Sequence, residues 1–289
     1  MTEGSVVIRR SLFALVALTL SLVACASPQK TNDAAIGTPR VRIVALVPFV
    51  ADDLYAIGAG SRLAAVSSFT DDPRARDLPR VADFTSVDAE KIVALHPDVA
   101  VGIPSQARLV DSLRRAGIGV VLLPDDGYDE IFKNLRAIGA LCGRQKQAGA
   151  TIARLARTTR TLHARTRAFA RHPSVFVVLG NAPIWTAGST SYIATLIGLA
   201  GGVNAAGDLH AAYGEYSAEA LLRAQPDVLV ADPAVHLGVE IDREPWRSLR
   251  AVRLGHVYTV NPAAIVMQPG PNYNEGLRWL VERLAPLAT

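Results

Sequence analysis

Five aromatic side chains stand beside predicted strand ends or helix starts, where they could bind a flat or bulky apolar ligand. They are Phe49, Phe69, Phe84, Trp185 and Tyr213. Ligands of open α/β sheets bind outside the carboxyl ends of the strands, so these residues are expected to converge on one cleft. Three aromatics that each bury about 80–100 Å² against a ligand would supply roughly 6–7 kcal/mol of gross binding free energy. Any one of them taken singly could instead pack in a hydrophobic core.

A short pattern in residues 84–101 returns in residues 213–230. In both copies an aromatic residue is followed six positions later by a glutamate, and then by a Pro-Asp-Val stretch. Such a repeat indicates a duplicated supersecondary unit and therefore two similar lobes. The glutamates, Glu90 and Glu219, fall in the first turn of predicted helices, where the helix dipole favours negative charge. They could do only that, or they could dock as a symmetric pair onto arginines of a two-fold partner.

The sequence contains no signature of a catalytic site. It has no G-x-S-x-G, H-E-x-x-H, Walker A or C-x-x-C motif, so we predict that the protein is not an enzyme and holds no cofactor of its own. His210 could ligate the metal of a bound cofactor, although a lone histidine is more often a surface residue. The enzymatic alternative would be a metal-dependent hydrolase that uses His210 and Asp208.

The N-terminus predicts export and lipid attachment. Two arginines precede an apolar run of 13 residues, Leu12 to Ala24, which is too short to span a bilayer comfortably. The run ends in a lipobox-like Leu-Val-Ala-Cys, which predicts a signal peptide over 1–24, acylation of Cys25 and a flexible tether over 25–40. Ordinary cleavage after Ala26 and an uncleaved membrane anchor are the alternatives. The expected location is the periplasm or the cell surface, on a membrane.

Apolar runs and helical patterns alternate along the rest of the chain, which is typical of α/β lobes with mainly parallel sheets. A loop is expected over 67–83. We predict strands over 41–47, 63–66, 99–102, 119–123, 174–179, 227–231 and 256–260. We predict helices over 51–59, 89–95, 105–116, 128–140, 190–199, 218–224 and 273–284.

Residues 143–171 are predicted to form one long, rigid helix between an N-terminal lobe, 41–142, and a C-terminal lobe, 172–289. Positions from Ile152 to Phe169 recur at three- and four-residue spacing, which is typical of a single buried helix face. The helix segment carries eight arginines or lysines and no acid. These side chains could attract an anionic surface such as lipid head groups, or they could simply be solvated. The predicted fold is thus two Rossmann-like lobes with a ligand cleft between them.

Several segments resemble substrate-binding proteins of ABC importers, in the class with a long linking helix that handles cobalamin, haem and iron–siderophore complexes. The similarity spans about residues 40–286 and is strongest to the cobalamin-binding members. The segments that carry it are Val66-Ser67-Ser68-Phe69-Thr70-Asp71-Asp72-Pro73, Glu90-Lys91-Ile92-Val93-Ala94-Leu95-His96-Pro97-Asp98, Pro183-Ile184-Trp185-Thr186-Ala187-Gly188 and Tyr213-Gly214-Glu215-Tyr216-Ser217-Ala218-Glu219.

The resemblance implies a role for individual residues. Glu90 and Glu219 match two family glutamates that dock into arginine pockets of a dimeric permease. Four aromatics match positions that face the corrin ring, and two of these, Phe84 and Tyr213, stand where tryptophans are expected. Ile103 stands at a further family tryptophan, so this cleft is less aromatic. The matching aromatics are Phe69, Phe84, Trp185 and Tyr213.

The implied function is the capture of cobalamin and its delivery to an ABC permease dimer with its ATPase; an iron–siderophore or haem ligand is the alternative. A surface lipoprotein that binds a protein partner without transport is a third possibility. The formal net charge of +4 in 289 residues is too small to indicate nucleic-acid binding, and a monomer is expected. With Cys25 acylated, Cys142 has no disulfide partner and is expected to be a small buried residue.

Overall fold

The computed structural model describes residues 40–232, 235–260 and 269–289. The predicted signal peptide 1–24, the predicted lipidation site Cys25 and nearly all of the predicted tether 25–40 lie outside these residues. Thr38–Thr289 forms one compact unit. Across the described ranges, no helix is both long enough and apolar enough to cross a bilayer.

The first lobe is built on a parallel sheet. Its strands are β1 Ile43–Ala45, β2 Leu63–Ser67, β3 Arg80–Ala82, β4 Val99–Gly102 and β5 Gly119–Leu122. They lie in the order β3-β2-β1-β4-β5, so the carboxyl ends of all of them share one edge. Strands β1, β2 and β4 are buried at every residue because helices cover the sheet. These helices are α1 Pro48–Ala56, α2 Ala89–Ala94, α3 Asp111–Arg115 and α4 Tyr128–Leu141.

The long helix α5, Gln145–Thr166, leads into the second lobe. The strands that follow are β6 Ser174–Val178, β7 Gly180–Asn181, β8 Ile184–Ala187, β9 Val203–Asn204, β10 Tyr213–Glu215, β11 Val228–Ala231 and β12 Val257–Thr259. A parallel sheet has the order β12-β11-β6-β9. The helices are α6 Tyr192–Leu199, α7 Ala218–Ala224, α8 Leu237–Glu240, α9 Arg250–Arg253 and α10 Tyr273–Leu284.

A small antiparallel sheet, β10-β8-β7, was not predicted from the sequence. Tyr213 lies opposite Ala187 and Glu215 lies opposite Trp185 in its register. The expectation that Trp185 follows a strand in a loop is therefore wrong, because it lies within β8. These strands are only two to four residues long and contain glycine and asparagine, so they carry no usable alternation of apolar and polar residues.

Two further element predictions are wrong. The expected helix 105–116 is a 3₁₀ turn over Pro104–Gln106 and a separate short helix, α3. It breaks because the Gln106 side chain is buried and bonds to backbone groups of other elements. The expected loop 67–83 contains β3, whose three residues are too few to show a strand pattern.

Helix α5 fixes the two lobes to each other. One continuous hydrophobic core runs from β1, α1 and α4 through Leu155 and Leu162 to α6 and α10. At mid-helix the Thr159 hydroxyl lies 2.6 Å from the Tyr273 hydroxyl and donates to Asn274 Oδ1 at 3.0 Å. The buried positions agree closely with the predicted spacing; they are Ala148, Thr151, Leu155, Thr159, Leu162 and Thr166.

The sequence repeat is also a structural repeat. Asp88 and Ser217 both cap their helices, α2 and α7, by accepting a hydrogen bond from a backbone N–H in the first turn. Both helices are followed by a residue in the left-handed region, His96 with φ 47° and Gln225 with φ 41°. The same turn therefore leads from helix to strand in each lobe, although the two side chains differ.

The Pro-Asp-Val part of the repeat anchors the central strands. The Asp98 carboxylate accepts a hydrogen bond from the Arg42 N–H at 2.6 Å, just before β1. The Asp227 carboxylate accepts one from the Ser174 N–H at 2.8 Å, at the start of β6. Each aspartate thus aligns two neighbouring parallel strands, which is a scaffolding role.

Candidate ligand cleft and docking acids

Phe69 and Phe84 form an exposed aromatic stack at the carboxyl edge of the first sheet. Their ring centroids are 5.1 Å apart and the ring planes differ by 21°. Phe69 follows β2 and Phe84 follows β3, and they are 54% and 44% exposed. Large apolar side chains exposed side by side indicate a binding surface rather than a core.

A tight polar turn holds Phe84 in place. The Asp83 carboxylate accepts hydrogen bonds from the N–H groups of Thr85, at 2.7 Å, and Ser86, at 2.6 Å. These bonds, with those of the two hydroxyls, lower the pKa of Asp83, so the turn keeps its anionic acceptor at neutral pH. From the other side, the buried Gln106 amide donates to the Asp83 carbonyl at 2.9 Å. Gln106 was not predicted from the sequence, because a buried glutamine in a short turn leaves no sequence pattern.

Trp185 and Tyr213 occupy neighbouring antiparallel strands of the second lobe. The Trp185 side chain is 40% exposed, whereas Tyr213 is half-buried and packs against the main core. Burial, and then the negative charges of Asp125 and Asp126, raise the pKa of Tyr213 to about 12. Tyr213 is therefore a neutral phenol at neutral pH, and it lies close to acids of the other lobe.

Asp125 and Asp126 bring acidic charge to the boundary between the lobes. They follow β5, and the Asp126 carbonyl accepts a hydrogen bond from the Tyr192 N–H at 3.1 Å, at the start of α6. Burial and the charge of Asp126 raise the pKa of Asp125. The sequence analysis did not select these residues. Their position in the sequence could have indicated them, because two acidic residues shortly after a parallel strand stand where ligands bind.

Phe49 and Ile103 lie inside the first lobe. They are 3% and 4% exposed and belong to the hydrophobic core. Phe49 is in the first turn of α1, and Ile103 directly follows β4. Both stand at the correct edge of the sheet but beneath its surface, so a direct ligand contact by either residue stays a prediction.

Glu90 and Glu219 are exposed, and each lies in the first turn of its helix, α2 or α7. Neither forms an ion pair or a side-chain hydrogen bond with any part of the chain that the structure describes. Their carboxylates are available to a partner, and the structural repeat gives them equivalent positions on the two lobes.

The structure offers no metal site among residues 40–232, 235–260 and 269–289, since no three histidine, cysteine or acidic side chains come together there. His210 is exposed, and Asp208 accepts a hydrogen bond from the Tyr216 hydroxyl at 2.9 Å. Cys142 is buried, as expected, and burial raises the pKa of its thiol.

Comparison with known proteins gives a consistent result. The family described as "Periplasmic binding protein" matches residues 43–264. The chain is 26% identical over 264 residues to the ABC transporter substrate-binding lipoprotein YvrC of Bacillus subtilis, covering 88% of this chain and 83% of that protein. It is 30% identical over 227 residues to a vitamin B12-binding protein of Vibrio cholerae, covering 77% of this chain and 82% of that protein.

Solved structures show the same fold. The periplasmic haem-binding protein RhuT of Roseiflexus aligns with a TM-score of 0.78 at 22% identity, over 86% of this chain and 99% of that one. The periplasmic vitamin B12-binding protein BtuF of Vibrio cholerae aligns with a TM-score of 0.72 at 25% identity, over 85% and 96%. These likenesses confirm the two-lobed α/β prediction. The chain therefore belongs to the periplasmic binding protein family, a transport family, and is an ABC-transporter substrate-binding protein that acts outside the cytoplasm.

Proposed function

We propose that this protein captures a corrinoid such as cobalamin and delivers it to a dimeric ABC permease. The observation that carries the proposal is the exposed Phe69–Phe84 stack on the same sheet edge as the acidic Asp125. Strands β2 and β5 are three strand spacings apart in the sheet, or about 14 Å. A ligand that touches both ends of this edge must be as large as a macrocycle.

The charges near these aromatics favour a ligand without exposed carboxylates. Asp125 and Asp126 lie near Tyr213, and Asp83 flanks Phe84. The nearby Arg80 directs its guanidinium to the carbonyl oxygens of Ser67 and Thr70, at 3.2 and 2.8 Å. The amide-rich periphery of a corrin suits such an edge, whereas the propionates of haem would meet negative charge.

Haem or an iron–siderophore complex is the second candidate. It is supported by the fold shared with the haem-binding protein RhuT. Against it, burial and the charges of Asp125 and Asp126 raise the pKa of Tyr213, which disfavours the phenolate form that binds ferric iron. The vitamin B12-binding relatives, at up to 30% identity, support the corrinoid.

The ligand is tested by titrating the protein with cyanocobalamin, haemin and a ferric hydroxamate siderophore while tryptophan fluorescence is recorded. Cobalamin is expected to quench the fluorescence with a dissociation constant below about 1 μM, near −8 kcal/mol. Trp185→Phe should remove most of the change, and Trp246→Phe, a buried tryptophan, is the matched control. Absence of cobalamin binding up to about 10 μM, together with tight haemin binding, would select the haem alternative.

We further propose that Cys25 carries a lipid and that Glu90 and Glu219 dock the permease. The lipoprotein relative YvrC supports the first point, and the exposure and equivalence of the two glutamates support the second. Cys25→Ser should move the protein from the membrane fraction to the soluble one. Cys142→Ser, at the buried cysteine, should leave the distribution unchanged. A membrane fraction that keeps the Cys25→Ser protein would contradict lipid attachment there.

A further inference from the structure

The outer face of α5 carries a row of basic side chains that form no ion pair within the described chain. Its members are exposed, and none of them takes part in the ion pairs found among the described residues. We call them the basic row: Lys146, Arg154, Arg157, Arg160 and Arg165. Although the net charge of the whole chain is only +4, residues 143–171 contain eight basic side chains and no acid, so the remainder is net acidic.

The helical repeat places this row on the side opposite the core. Arg157 is two residues from both Leu155 and Thr159, and at about 3.6 residues per turn it points away from both. Leu155 and Thr159 are buried. The helix has 22 residues, so the row extends along roughly 30 Å of one nearly straight face.

The helices packed against α5 do not cancel this charge. Helix α4 has two acids and two bases, α10 has two of each, and α6 has none. The acids closest along this surface are Asp52 of α1 and Glu275 of α10, which share a polar cavity of about 280 Å³ with Arg74, Arg154 and Arg278. With Asp72, which pairs with Arg74, the three bases and three acids around this cavity balance, but the row beyond Arg154 is exposed to solvent.

The ends of α5 lie away from the ligand edge. The Thr151 hydroxyl donates to the Ala56 carbonyl, and the Thr166 hydroxyl donates to the Leu199 carbonyl. Ala56 ends α1 and Leu199 ends α6, and the chain then enters the sheets at the starts of β2 and β9. The starts of parallel strands form the edge opposite the carboxyl ends, where Phe69, Phe84 and Asp125 stand.

We propose that the basic row binds the anionic head groups of a lipid bilayer. A straight row can bring all its charges within one screening length of a flat surface, about 8 Å at physiological salt. Given the acylated Cys25 of the proposed function, the 15 residues from Cys25 to Arg40 span at most about 50 Å, so the body stays near the bilayer. Lying on this row, the body would turn its ligand edge away from the membrane to collect ligand.

The proposal is tested with residues 38–289, which form one compact unit with its own cores, so that no acyl chain contributes. Sedimentation is measured with vesicles of phosphatidylcholine alone and with about one-third phosphatidylglycerol, at low and high salt. The row variant replaces Arg154, Arg157, Arg160 and Arg165 by glutamine, which preserves helix propensity. The matched control replaces four other exposed arginines by glutamine and has the same net charge: Arg76, Arg108, Arg115 and Arg223.

Wild type should bind only the anionic vesicles and release them at high salt. The row variant should lose at least about tenfold in affinity and the control at most about twofold. Equal losses in both variants, or no binding by wild type, would overturn the proposal without touching ligand transport, because no ligand or permease is present. A row variant that binds anionic vesicles as tightly as wild type would assign the contact to other basic side chains and would also overturn the proposal.

A second measurement changes only one basic residue at a time. Its result therefore does not depend on whether the variant with four substitutions folds. An environment-sensitive fluorophore is attached at Arg157→Cys or, as control, at Arg108→Cys; the native Cys142 is buried. Anionic vesicles should shift the emission of the label at position 157 to shorter wavelength and leave the label at position 108 unchanged. Identical responses at both positions would mean that α5 does not face the bilayer.

Discussion

The ring of Phe84 remains nearly half exposed while it stacks on Phe69, so its removal leaves the core intact. We expect Phe84→Ala to weaken cobalamin binding about tenfold, or about 1.4 kcal/mol, through lost stacking and burial. The melting temperature should change by less than about 2 °C. Calorimetric titration measures the affinity, and Val203→Ala, another half-exposed apolar residue, is the control. An unchanged affinity would remove Phe84 from the ligand contacts.

Asp52 makes stability depend on pH near neutrality. Burial, with the charges of Asp72 and Glu275, raises its pKa to about 7, far above the value in an unfolded chain. Between these two values the folded protein holds a proton that the unfolded chain releases, so the unfolding free energy falls as pH rises. Above about pH 7 Asp52 is charged in the folded protein as well, and the loss of unfolding free energy caused by its buried charge is complete.

Asp52→Asn should therefore stabilise the protein more at about pH 8 than at about pH 5, by about 2 kcal/mol. Urea unfolding at both pH values measures the difference. Asp242→Asn, at an exposed aspartate, is the control and should show no comparable pH effect. An equal effect of Asp52→Asn at the two pH values would mean that Asp52 does not take up a proton on folding.

The sequence pointed to Phe69 and Trp185 by their place after predicted strands, and to Phe84 and Tyr213 by their place before the repeated helices. A ligand contact by these four residues stays a prediction. The sequence does not show depth, and so it ranked Phe49 and Ile103 with them although both are nearly buried. Gln106 was missed because two of its three hydrogen bonds reach Leu46 and Asp83, which are distant in the chain. Such long-range contacts exist only once the sheet has assembled.

At the scale of elements, the polar centre of α5 is a point of high sensitivity. Thr159→Val would remove the hydroxyl that donates to Asn274 Oδ1 in a buried site, and it would leave the Tyr273 hydroxyl with Tyr128 as its remaining partner. We expect a loss of about 1–3 kcal/mol in unfolding free energy. Thr161→Val, the same change on the exposed side of the helix, should cost less than about 0.5 kcal/mol. Denaturant unfolding compares the two; equal losses would show that only helix propensity had changed.

Elements with a clear apolar pattern were predictable from the sequence, whereas the strands of the small antiparallel sheet were not. Helices α7 and α10 and strand β4 have the predicted bounds, and α5 has nearly the predicted buried face. Helix α5 ends at Thr166 rather than near 171. In the sheet β10-β8-β7, the pairing of β10 with β8 joins residues 26 to 30 positions apart, which local sequence cannot specify.

For the whole molecule, the two exposed glutamates predict a separation of binding from delivery. We expect Glu90→Ala with Glu219→Ala to keep the ligand affinity within about twofold and to reduce uptake by at least about tenfold. Growth or radiolabelled uptake that depends on cobalamin measures delivery. Asp242→Ala with Glu282→Ala removes the same charge elsewhere on the surface. If uptake is equal in both double variants, Glu90 and Glu219 have no special role in docking.

The residues that end the turns after α2 and α7 should respond differently to substitution, although they occupy equivalent positions in the two lobes. His96 is exposed, and its side chain forms no hydrogen bond with the described residues although its backbone is left-handed. His96→Gly should therefore raise the unfolding free energy by up to about 1 kcal/mol. Gln225 has the same backbone, but its amide bonds to Leu222, Ser248 and the N–H of Arg250. Gln225→Gly should therefore be neutral or destabilising in a thermal melt, and the opposite order would contradict this account. The first copy of the repeat should thus tolerate substitution at this position, whereas in the second copy the side chain holds the segment Ser248 to Arg250 in place.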